Sequence, residues 1–351
     1  MKITIIGAGK TGRGFLARLL NGEEITFIDK NASLIEALNE KKSFSVSYFG
    51  NKKPECTVSF KNAYTWENVS GIDADIIFVS VGGSNLADVG AELKKYIKSS
   101  QRIIVCENAS KPAKKLCDAI GIDGVMVSES TVFCTTIEGE GLNINSEWYP
   151  YLQFDAEPMK EYLPELKNIK PVFDFGNFLT RKLYTYNSAS CIIAYLGYQK
   201  GYTVYSDAAN DEEILGLLDK NYAIINECMC LEYGYDRDDQ REFALLSRDK
   251  FTDKTIVDTI ARNAREPQRK IGSIERVVGP LLLEEKYGKD TSVLEMTLAA
   301  MLLYNPEAET EWNEMISSRG FGGILTSLAG LSEESELYKR VLGLANSGKI
   351  L

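Results

Sequence analysis

The N-terminal half of the chain alternates short apolar runs with amphipathic segments. Apolar runs occupy residues 2–6, 74–83, 102–108 and 125–131, and the two segments that separate the last three runs have helical periodicity. This alternation predicts a parallel, doubly wound sheet of the Rossmann type. Two further stretches, 142–158 and 171–178, are expected to add strands, antiparallel to the others, that close the domain.

From residue 181 the pattern changes, because strand signals fade and long amphipathic runs take over. Helices are predicted for residues 182–200, 210–234, 254–264, 272–288, 291–304 and 307–320. The sequence therefore predicts an α/β fold of two domains: a nucleotide-binding domain over 1–180 and an all-helical domain over 181–351.

A glycine motif follows the first apolar run directly. Gly7, Gly9 and Gly12 stand in the G-x-G-x-x-G spacing between a strand and a helix, and Asp29 follows 22 residues after Gly7, at the end of the second strand. This arrangement is typical of dinucleotide binding, with the pyrophosphate at the helix N-terminus and the acidic residue on the ribose. Arg13, which follows the last glycine, is expected among the cofactor-binding residues. The acidic residue favours NAD as the cofactor.

Other candidates for the cofactor site lie where later strands end. In a doubly wound sheet the ligand crevice lies at the carboxyl ends of the strands. We therefore expect Val81, Gly82, Glu107, Asn108 and Glu129 near the cofactor, although each is equally compatible with an ordinary turn or strand end.

Composition narrows the function classes. The chain has 351 residues, 44% of them hydrophobic, a net charge of −10, seven cysteines and no histidine. The negative charge argues against nucleic acid and anionic membranes as partners, and no apolar run is long enough to span a bilayer. The scattered cysteines without a C-x-x-C pair favour reduced thiols and a cytoplasmic protein. The absence of histidine excludes Ser-His-Asp devices and most zinc sites, so no metal is expected.

The stretch "RKLYTYNSASCIIAYLGYQKGY", residues 181–202, carries the candidate catalytic groups. On an α-helix Lys182, Ser190 and Asn187 lie at roughly 0°, 80° and 140°, within one broad face. We expect that face to look into a cleft between the domains, where pockets commonly form. On spacing alone, a solvated lysine at a helix start and a locally bonded asparagine are slightly favoured.

Several segments together resemble the polyol-specific long-chain dehydrogenases, in particular the mannitol-1-phosphate 5-dehydrogenase group. They are "IIGAGKTGRGF", "FIDKNASLIEALNEKKSFSV", "CEN" at 106–108, "KLYTYNSASCIIAYLGYQKGY" and "DTIARNAREPQRKI". The resemblance runs over nearly the whole chain. It implies an enzyme that uses NAD to interconvert a polyol, or its phosphate, with the corresponding ketose.

The resemblance also assigns roles on the catalytic helix. It implies that Lys182 is the general base and that Asn187 holds the developing alkoxide through its amide. A lysine serves as a base only if burial or a nearby positive charge lowers its pKa toward neutrality.

The chain departs from the family pattern at two places. Ser190 stands where the family usually has histidine, and it retains a hydroxyl but no imidazole. Glu129 replaces the first residue, an amide or acid, of a motif that otherwise ends in Asp-Arg, whose place Phe133 and Cys134 take. Because a carboxylate near Lys182 raises the pKa of the lysine, Glu129 is a candidate modulator of the catalytic group.

A basic cluster lies in the stretch "RNAREPQRK". Arg262, Arg265, Arg269 and Lys270 are candidates for gripping a sugar phosphate or polyol, since guanidinium groups bind phosphate bidentately. The alternative is a solvated basic face beside Asp258 and Glu266.

Two other functions stay open. The changes at residues 129, 133, 134 and 190 suit a non-catalytic NAD-binding relative that acts as a sensor or partner protein. A reductase of the 2-hydroxy-acid or ketopantoate type also pairs a Rossmann domain with helices and a Lys/Asn site, although "REPQRK" speaks against it. In each case the expected ligand is a small molecule, and the protein is expected to be a monomer or small homo-oligomer.

Overall fold

A computed structural model describes residues 1–51 and 53–351 of the chain. The chain divides into two compact units, Met1–Gly176 and Asn177–Leu351, each described separately below. The second unit thus begins at 177, against 181 in the sequence-based division.

Within its described residues the first unit contains twelve strands. They are β1 Lys2–Ile6, β2 Glu24–Ile28, β3 Ser43–Tyr48, β4 Cys56–Ser59, β5 Asn62–Tyr64, β6 Ile76–Val79, β7 Arg102–Val105, β8 Met126–Thr131, β9 Thr136–Glu138, β10 Ile144–Ser146, β11 Leu152–Asp155 and β12 Ile169–Val172. Eight of them form one sheet in the order β12-β11-β8-β7-β6-β1-β2-β5, and four form a second in the order β4-β3-β10-β9.

The large sheet has the doubly wound arrangement that the sequence predicts. Six neighbouring strands of this sheet, β8, β7, β6, β1, β2 and β5, are parallel to one another. The strand order reverses between β1 and β6, and such a switch point opens a crevice at the carboxyl ends of the strands. Strands β1 and β6 are almost wholly apolar and buried because helices cover both faces of a parallel sheet.

The strands that close the unit are only partly as predicted. β11 is antiparallel to β8, but β12 is parallel to β11. The predicted strand over 171–178 ends at Val172, and a helix starts at Phe175. Asp174 turns the chain with a φ of +54°, and Phe175 and Phe178, three residues apart, are both buried on one helical face. Of the small second sheet only β10 falls within a stretch predicted to add strands, 142–158, and β3, β4 and β9 were not predicted.

Helices in the first unit are short. They are α1 Ala32–Lys41, α2 Leu86–Leu93 and α3 Pro112–Ile120, together with a π-helical segment Gly12–Ala17 and 3₁₀ turns at Phe49–Asn51, Gly83–Asn85 and Glu157–Met159. α2 and α3 match the two helices predicted between the apolar runs.

The second unit is helical, as predicted. Its helices are α4 Phe175–Lys182, α5 Ser188–Gln199, α6 Tyr205–Ala209, α7 Glu212–Tyr233, α8 Arg237–Phe251, α9 Ile260–Ala264, α10 Pro267–Lys270, α11 Val278–Lys286, α12 Ser292–Leu302, α13 Thr310–Ser327 and α14 Glu336–Ser347. α4 starts at the end of the first unit. α5 is buried over most of its length and lies at the centre of the apolar core. Within the described ranges, no helix is long and apolar enough to cross a membrane.

Two predicted helices are shorter in the structure. The segment predicted to be helical over 254–264 becomes helical only at Ile260, after Thr259, whose hydroxyl accepts the N–H of Arg262 as an N-cap. The segment predicted over 272–288 becomes helical at Val278. The loops exposed in this way carry Val257 and Ile274 at the surface, so their apolar side chains do not signal a buried helical face.

The helix that carries Lys182 differs from the predicted one in start and geometry. It runs from Phe175 through a π-helical turn, Leu183–Asn187, into α5. Lys182 therefore lies within a helix instead of before its first turn. Hydrogen bonds in a π-turn link residue i to residue i+5. Residues five apart therefore lie closer to one face here than they would on the α-helix assumed from the sequence.

Candidate active site

The glycine loop after β1 has the geometry that a dinucleotide needs. Gly7 has a φ of +98°, and a Cβ there would lie 1.9 Å from the carbonyl oxygen of Ser80. A Cβ at Gly12 would lie 1.9 Å from the carbonyl oxygen of Gly7, so this glycine lets the helix approach the loop. A Cβ at Gly9 would meet nothing within 4 Å, so the backbone there borders open space. Such space next to a helix start suits a pyrophosphate.

Asp29 lies at the end of β2 and holds the same loop. Its carboxylate accepts the N–H of Ala8 at 2.7 Å and that of Asn31 at 2.8 Å. Asn31 in turn caps α1, where its side chain accepts the N–H of Leu34. The acid is therefore fixed between the glycine loop and the next helix, the place where a ribose-binding carboxylate is expected.

A cavity of about 580 Å³ lies over these groups. The residues predicted from the sequence that line it are Gly7, Gly9, Asp29, Val81, Gly82, Glu107 and Asn108. Others that line it were not predicted, among them Lys10, Trp66, Asn85 and Cys134. The volume falls in the range of small-molecule and cofactor sites.

Glu107 and Asn108 shape the cavity by holding loops. The carboxylate of Glu107 accepts the N–H groups of Val81 and Gly82, both at 2.6 Å. Burial raises the pKa of Glu107, and the two N–H donors oppose that rise. The side chain of Asn108 donates to the carbonyl of Val132 and accepts its N–H, which ties the end of β7 to the end of β8.

Three predicted residues, Gly12, Arg13 and Glu129, lie outside the lining of this cavity. Arg13 is buried, and its guanidinium donates to the carbonyls of Ala8 and Leu142, so it links the glycine loop to the segment just before β10. Glu129 lies in β8, where its carboxylate accepts the N–H of Ala113. Burial and the charge of Asp155 raise the pKa of Glu129. Direct cofactor contact by Arg13 and a catalytic role for Glu129 stay predictions.

The second unit contains a smaller cavity of about 190 Å³ that collects basic groups. It is lined by Asn187, Ser190, Cys191, Arg262, Asn263, Arg265, Arg269, Lys270 and Arg276. The structure thus brings all four members of the predicted basic cluster together with two predicted catalytic residues. None of the described residues that line it is acidic, so five cations face one small space, and an anion is the ligand that this charge favours.

Most of these cations are already held in place. Arg262 pairs with Asp258 at 2.9 Å and Arg269 with Glu266 at 2.8 Å. The Lys270 ammonium is buried and donates to the carbonyl of Asn263 at 2.6 Å. The alternative of a solvated basic face therefore holds in part: Arg262 and Arg269 are exposed and paired, but they also border the cavity.

Burial and neighbouring charges lower the pKa of two lysines. Burial, then the positive charges of Lys250 and Arg276, lower the pKa of Lys182 to about 8. Burial also lowers the pKa of Lys270 to about 8. Since desolvation and like charges both disfavour an ammonium, Lys182 is poised to accept and release a proton close to neutral pH.

Sequence reasoning missed the charges that act on Lys182. Arg276 reaches the cavity through the loop after α10, and Lys250 lies near the end of α8. Neither lies in a motif or at a periodic distance from Lys182. Only tertiary packing brings them near, so no local pattern signals them.

Two family models match the chain, one over each half. The ketopantoate reductase PanE/ApbA model matches residues 3–146, and the mannitol dehydrogenase C-terminal domain model matches residues 174–319. A mannitol-1-phosphate 5-dehydrogenase of Caldanaerobacter subterraneus subsp. tengcongensis is 26% identical, over 97% of this chain and 97% of the relative. One of Brevibacillus brevis is 28% identical, over 90% and 89%. These matches support the polyol dehydrogenase family for this chain.

Solved structures of polyol dehydrogenases share the fold. A D-sorbitol dehydrogenase in substrate-free form aligns with a TM-score of 0.77 at 13% identity, over 99% of this chain and 92% of that one. The Pseudomonas fluorescens mannitol 2-dehydrogenase, solved as a ternary complex with NAD and D-mannitol, aligns with a TM-score of 0.63 at 12% identity, over 99% and 91%. The predicted fold, a Rossmann-type unit followed by a helical unit, is therefore confirmed for this chain.

Proposed function

We propose that this polyol dehydrogenase uses NAD to interconvert a polyol phosphate, of the mannitol 1-phosphate type, with the corresponding ketose phosphate. The observation that carries the proposal is the basic cavity of the second unit. It places five cations against Asn187 and Ser190 on the helix that also holds Lys182. The names of the relatives, mannitol-1-phosphate 5-dehydrogenase, agree with a phosphorylated substrate.

The first unit fits a dinucleotide. Open space borders Gly9, the helix N-terminus at Lys10 and Thr11 lines the cavity, and Asp29 stands at the ribose position of the motif. These residues would hold the pyrophosphate and the adenosine ribose. NAD, when bound, supplies the hydride acceptor for oxidation of the alcohol.

The proton chemistry falls to the second unit. In oxidation, neutral Lys182 accepts the proton of the substrate hydroxyl, and in reduction its ammonium returns that proton to the carbonyl oxygen. The amide N–H of Asn187 would stabilise negative charge that develops on the same oxygen. Ser190 lines the cavity and offers a hydroxyl where the family usually has histidine.

The basic cavity is proposed to bind the phosphate. Arg265, Arg269 and Lys270 come from the cluster predicted in the sequence, and Arg276 joins them from the loop after α10. Guanidinium groups bind phosphate oxygens in pairs, so several of them confer both affinity and orientation. A free polyol offers none of the charge that this cavity complements.

Steady-state turnover of a panel of polyols and their phosphates with NAD tests the proposal. We expect NADH formation with a hexitol phosphate and a much lower kcat/KM for the free hexitol. Arg265→Ala and Arg269→Ala should raise KM for the phosphate roughly tenfold or more and affect the free polyol little. Arg241→Ala, at an exposed arginine on α8, is the matched control and should change neither value.

Two outcomes would contradict the proposal. Equal effects of the arginine substitutions on both substrates would remove the phosphate role of the cavity. No turnover across a broad panel would favour the non-catalytic NAD-binding alternative.

We infer from the cysteines that the protein is cytoplasmic. All seven cysteines are free thiols, which suits a reducing compartment. Fractionation of cells that make the protein is the check. The prediction of a monomer or small homo-oligomer stays a prediction, which the mass in solution would settle.

A further inference from the structure

A fully buried amide lies under the π-turn of the catalytic helix. Gln240 in α8 is 0% exposed. Its carbonyl oxygen accepts the Nε of Arg181 at 2.7 Å, and its amide nitrogen donates to the hydroxyl of Thr185 at 3.1 Å and to the Asn226 side chain at 2.9 Å. Both donors and the acceptor of this amide are used, which is what fixes a buried polar group in one orientation.

Arg181, the residue before Lys182, is held on every side. It is 5% exposed. Besides bonding Gln240, its guanidinium pairs with Asp239 at 2.8 Å and lies over the rings of Tyr235 and Phe243 at 4.4 and 4.2 Å. The charge is therefore compensated, and the side chain is stacked between α8 and the segment before it.

Gln240 bonds to the catalytic helix at two residues, one before and one after Lys182 in the sequence. Arg181 precedes the lysine, and Thr185, 1% exposed, lies inside the π-turn that follows it. The turn is closed by the N–H of Ser188, which bonds to the carbonyl of Leu183 five residues back. A single π-turn is uncommon and needs tertiary contacts to persist, and such turns recur at functional sites.

We propose that Gln240 is a positioning residue: through Arg181 and Thr185 it holds the π-turn and thereby sets the direction of Lys182 and Asn187. This inference rests on the proposed function, because it assigns these two side chains to one substrate oxygen. Relaxation of the turn to α-helical hydrogen bonding would rotate Asn187 away from Lys182, since their angular separation is larger on an α-helix.

Two substitutions break the bridge from different sides. Gln240→Leu removes the amide and leaves the Nε of Arg181 without its partner, whereas Thr185→Val removes only the hydroxyl at constant shape. Both should lower kcat by about 10–100-fold, the cost of a misplacement of about 1 Å or less, with unchanged affinity for NADH. Thr185→Ser keeps the hydroxyl and should restore most of kcat.

A matched control separates positioning from general stability. Tyr222→Phe removes another buried hydrogen bond of α8, between the hydroxyls of Tyr222 and Ser247 at 2.5 Å, remote in sequence from the π-turn. It should lower Tm while kcat stays near wild type. A loss of kcat in Tyr222→Phe equal to that in Thr185→Val would overturn the positioning role.

A readout that does not depend on turnover keeps the two proposals apart. The rate at which acetic anhydride acylates Lys182, followed by peptide mass spectrometry against pH, reports the titration of the lysine. Lys250 of α8, Arg276 after α10 with its partner Glu275, and Asp239 all remain in both variants. The labelling midpoint should therefore move only if Lys182 itself is displaced.

Each outcome bears on one of the proposals. Absence of turnover in the wild type contradicts the proposed function, and the labelling curves still test the bridge. A folded Thr185→Val protein with wild-type kcat and an unchanged labelling midpoint would overturn the inference. A reduced kcat with a moved midpoint and rescue by Thr185→Ser would support it.

Discussion

At the scale of single residues, the chemistry of Lys182 depends on the charges near it. Lys182 has a pKa near 8 because it is desolvated and because Lys250 and Arg276 disfavour its ammonium. As a base it must be neutral, so oxidation should rise with pH and level off above about 8. Reduction needs the ammonium and should fall over the same range.

Lys250→Gln tests this electrostatic cause. It removes a positive charge near Lys182, so the pKa of Lys182 should rise and the midpoint of the kcat profile for oxidation should move to higher pH. Lys254→Gln is the matched control, because it makes the same change of charge at an exposed position. An unchanged midpoint in Lys250→Gln, or an equal shift in Lys254→Gln, would contradict a specific effect.

A second residue-scale prediction concerns the choice of cofactor. Asp29 lines the dinucleotide cavity and should repel the 2′-phosphate of NADP. Asp29→Ser should therefore shift the ratio of the NADP and NAD dissociation constants toward NADP by about tenfold or more, at least ~1.4 kcal/mol. Isothermal titration measures both constants. Equal or tighter binding of NADP by the wild type would refute the assignment of NAD.

At the scale of elements, substitutions at two glycines of the glycine loop should differ in their effects on stability and on cofactor binding. A methyl group at Gly12 would overlap the carbonyl of Gly7, so Gly12→Ala should cost about 1–3 kcal/mol of stability and also weaken cofactor binding. A methyl group at Gly9 meets open space, so Gly9→Ala should keep Tm and weaken NADH binding about tenfold or more. A Gly9→Ala protein that binds NADH like the wild type would show that the dinucleotide lies elsewhere.

Element by element, local patterns predicted the Rossmann unit well. The apolar runs, the glycine spacing and Asp29 all express short-range geometry, so they are visible in sequence. The π-turn after Lys182 is not, because a π-turn has no residue signature and this one is held by Gln240, over fifty residues away in the chain. Arg276 was missed for the same reason, whereas Arg265 and Arg269 were found because they share one segment.

At the scale of the whole molecule, stability should depend on a buried carboxyl far from these motifs. Glu284 in α11 is 1% exposed, and within the described part of the chain its Oε1 has no hydrogen-bond partner. Burial raises its pKa from 4.5 to about 9. Below pH 4.5 the folded and unfolded states are both protonated there. Above it the unfolded state ionises first, so stability is lost as pH rises toward 9.

Glu284→Gln should remove that dependence. The free energy of unfolding should rise by about 2–4 kcal/mol at pH 8, and the gain should vanish near pH 4. Glu285→Gln, at the exposed neighbouring position, should have little effect at either pH. Chemical denaturation at the two pH values is the measurement. A Glu284→Gln protein no more stable at pH 8 would show that the carboxyl is ionised and paired in solution.

The proposed reaction depends on proton transfer by Lys182, in a chain with no histidine to take that part. The most direct test is kcat of Lys182→Ala on the best substrate of the wild type, with NADH affinity measured in parallel. The account predicts a loss of about 10²–10⁴-fold in kcat, the range for removal of a positioned acid–base group, with nearly unchanged NADH binding. Wild-type turnover by Lys182→Ala would contradict it.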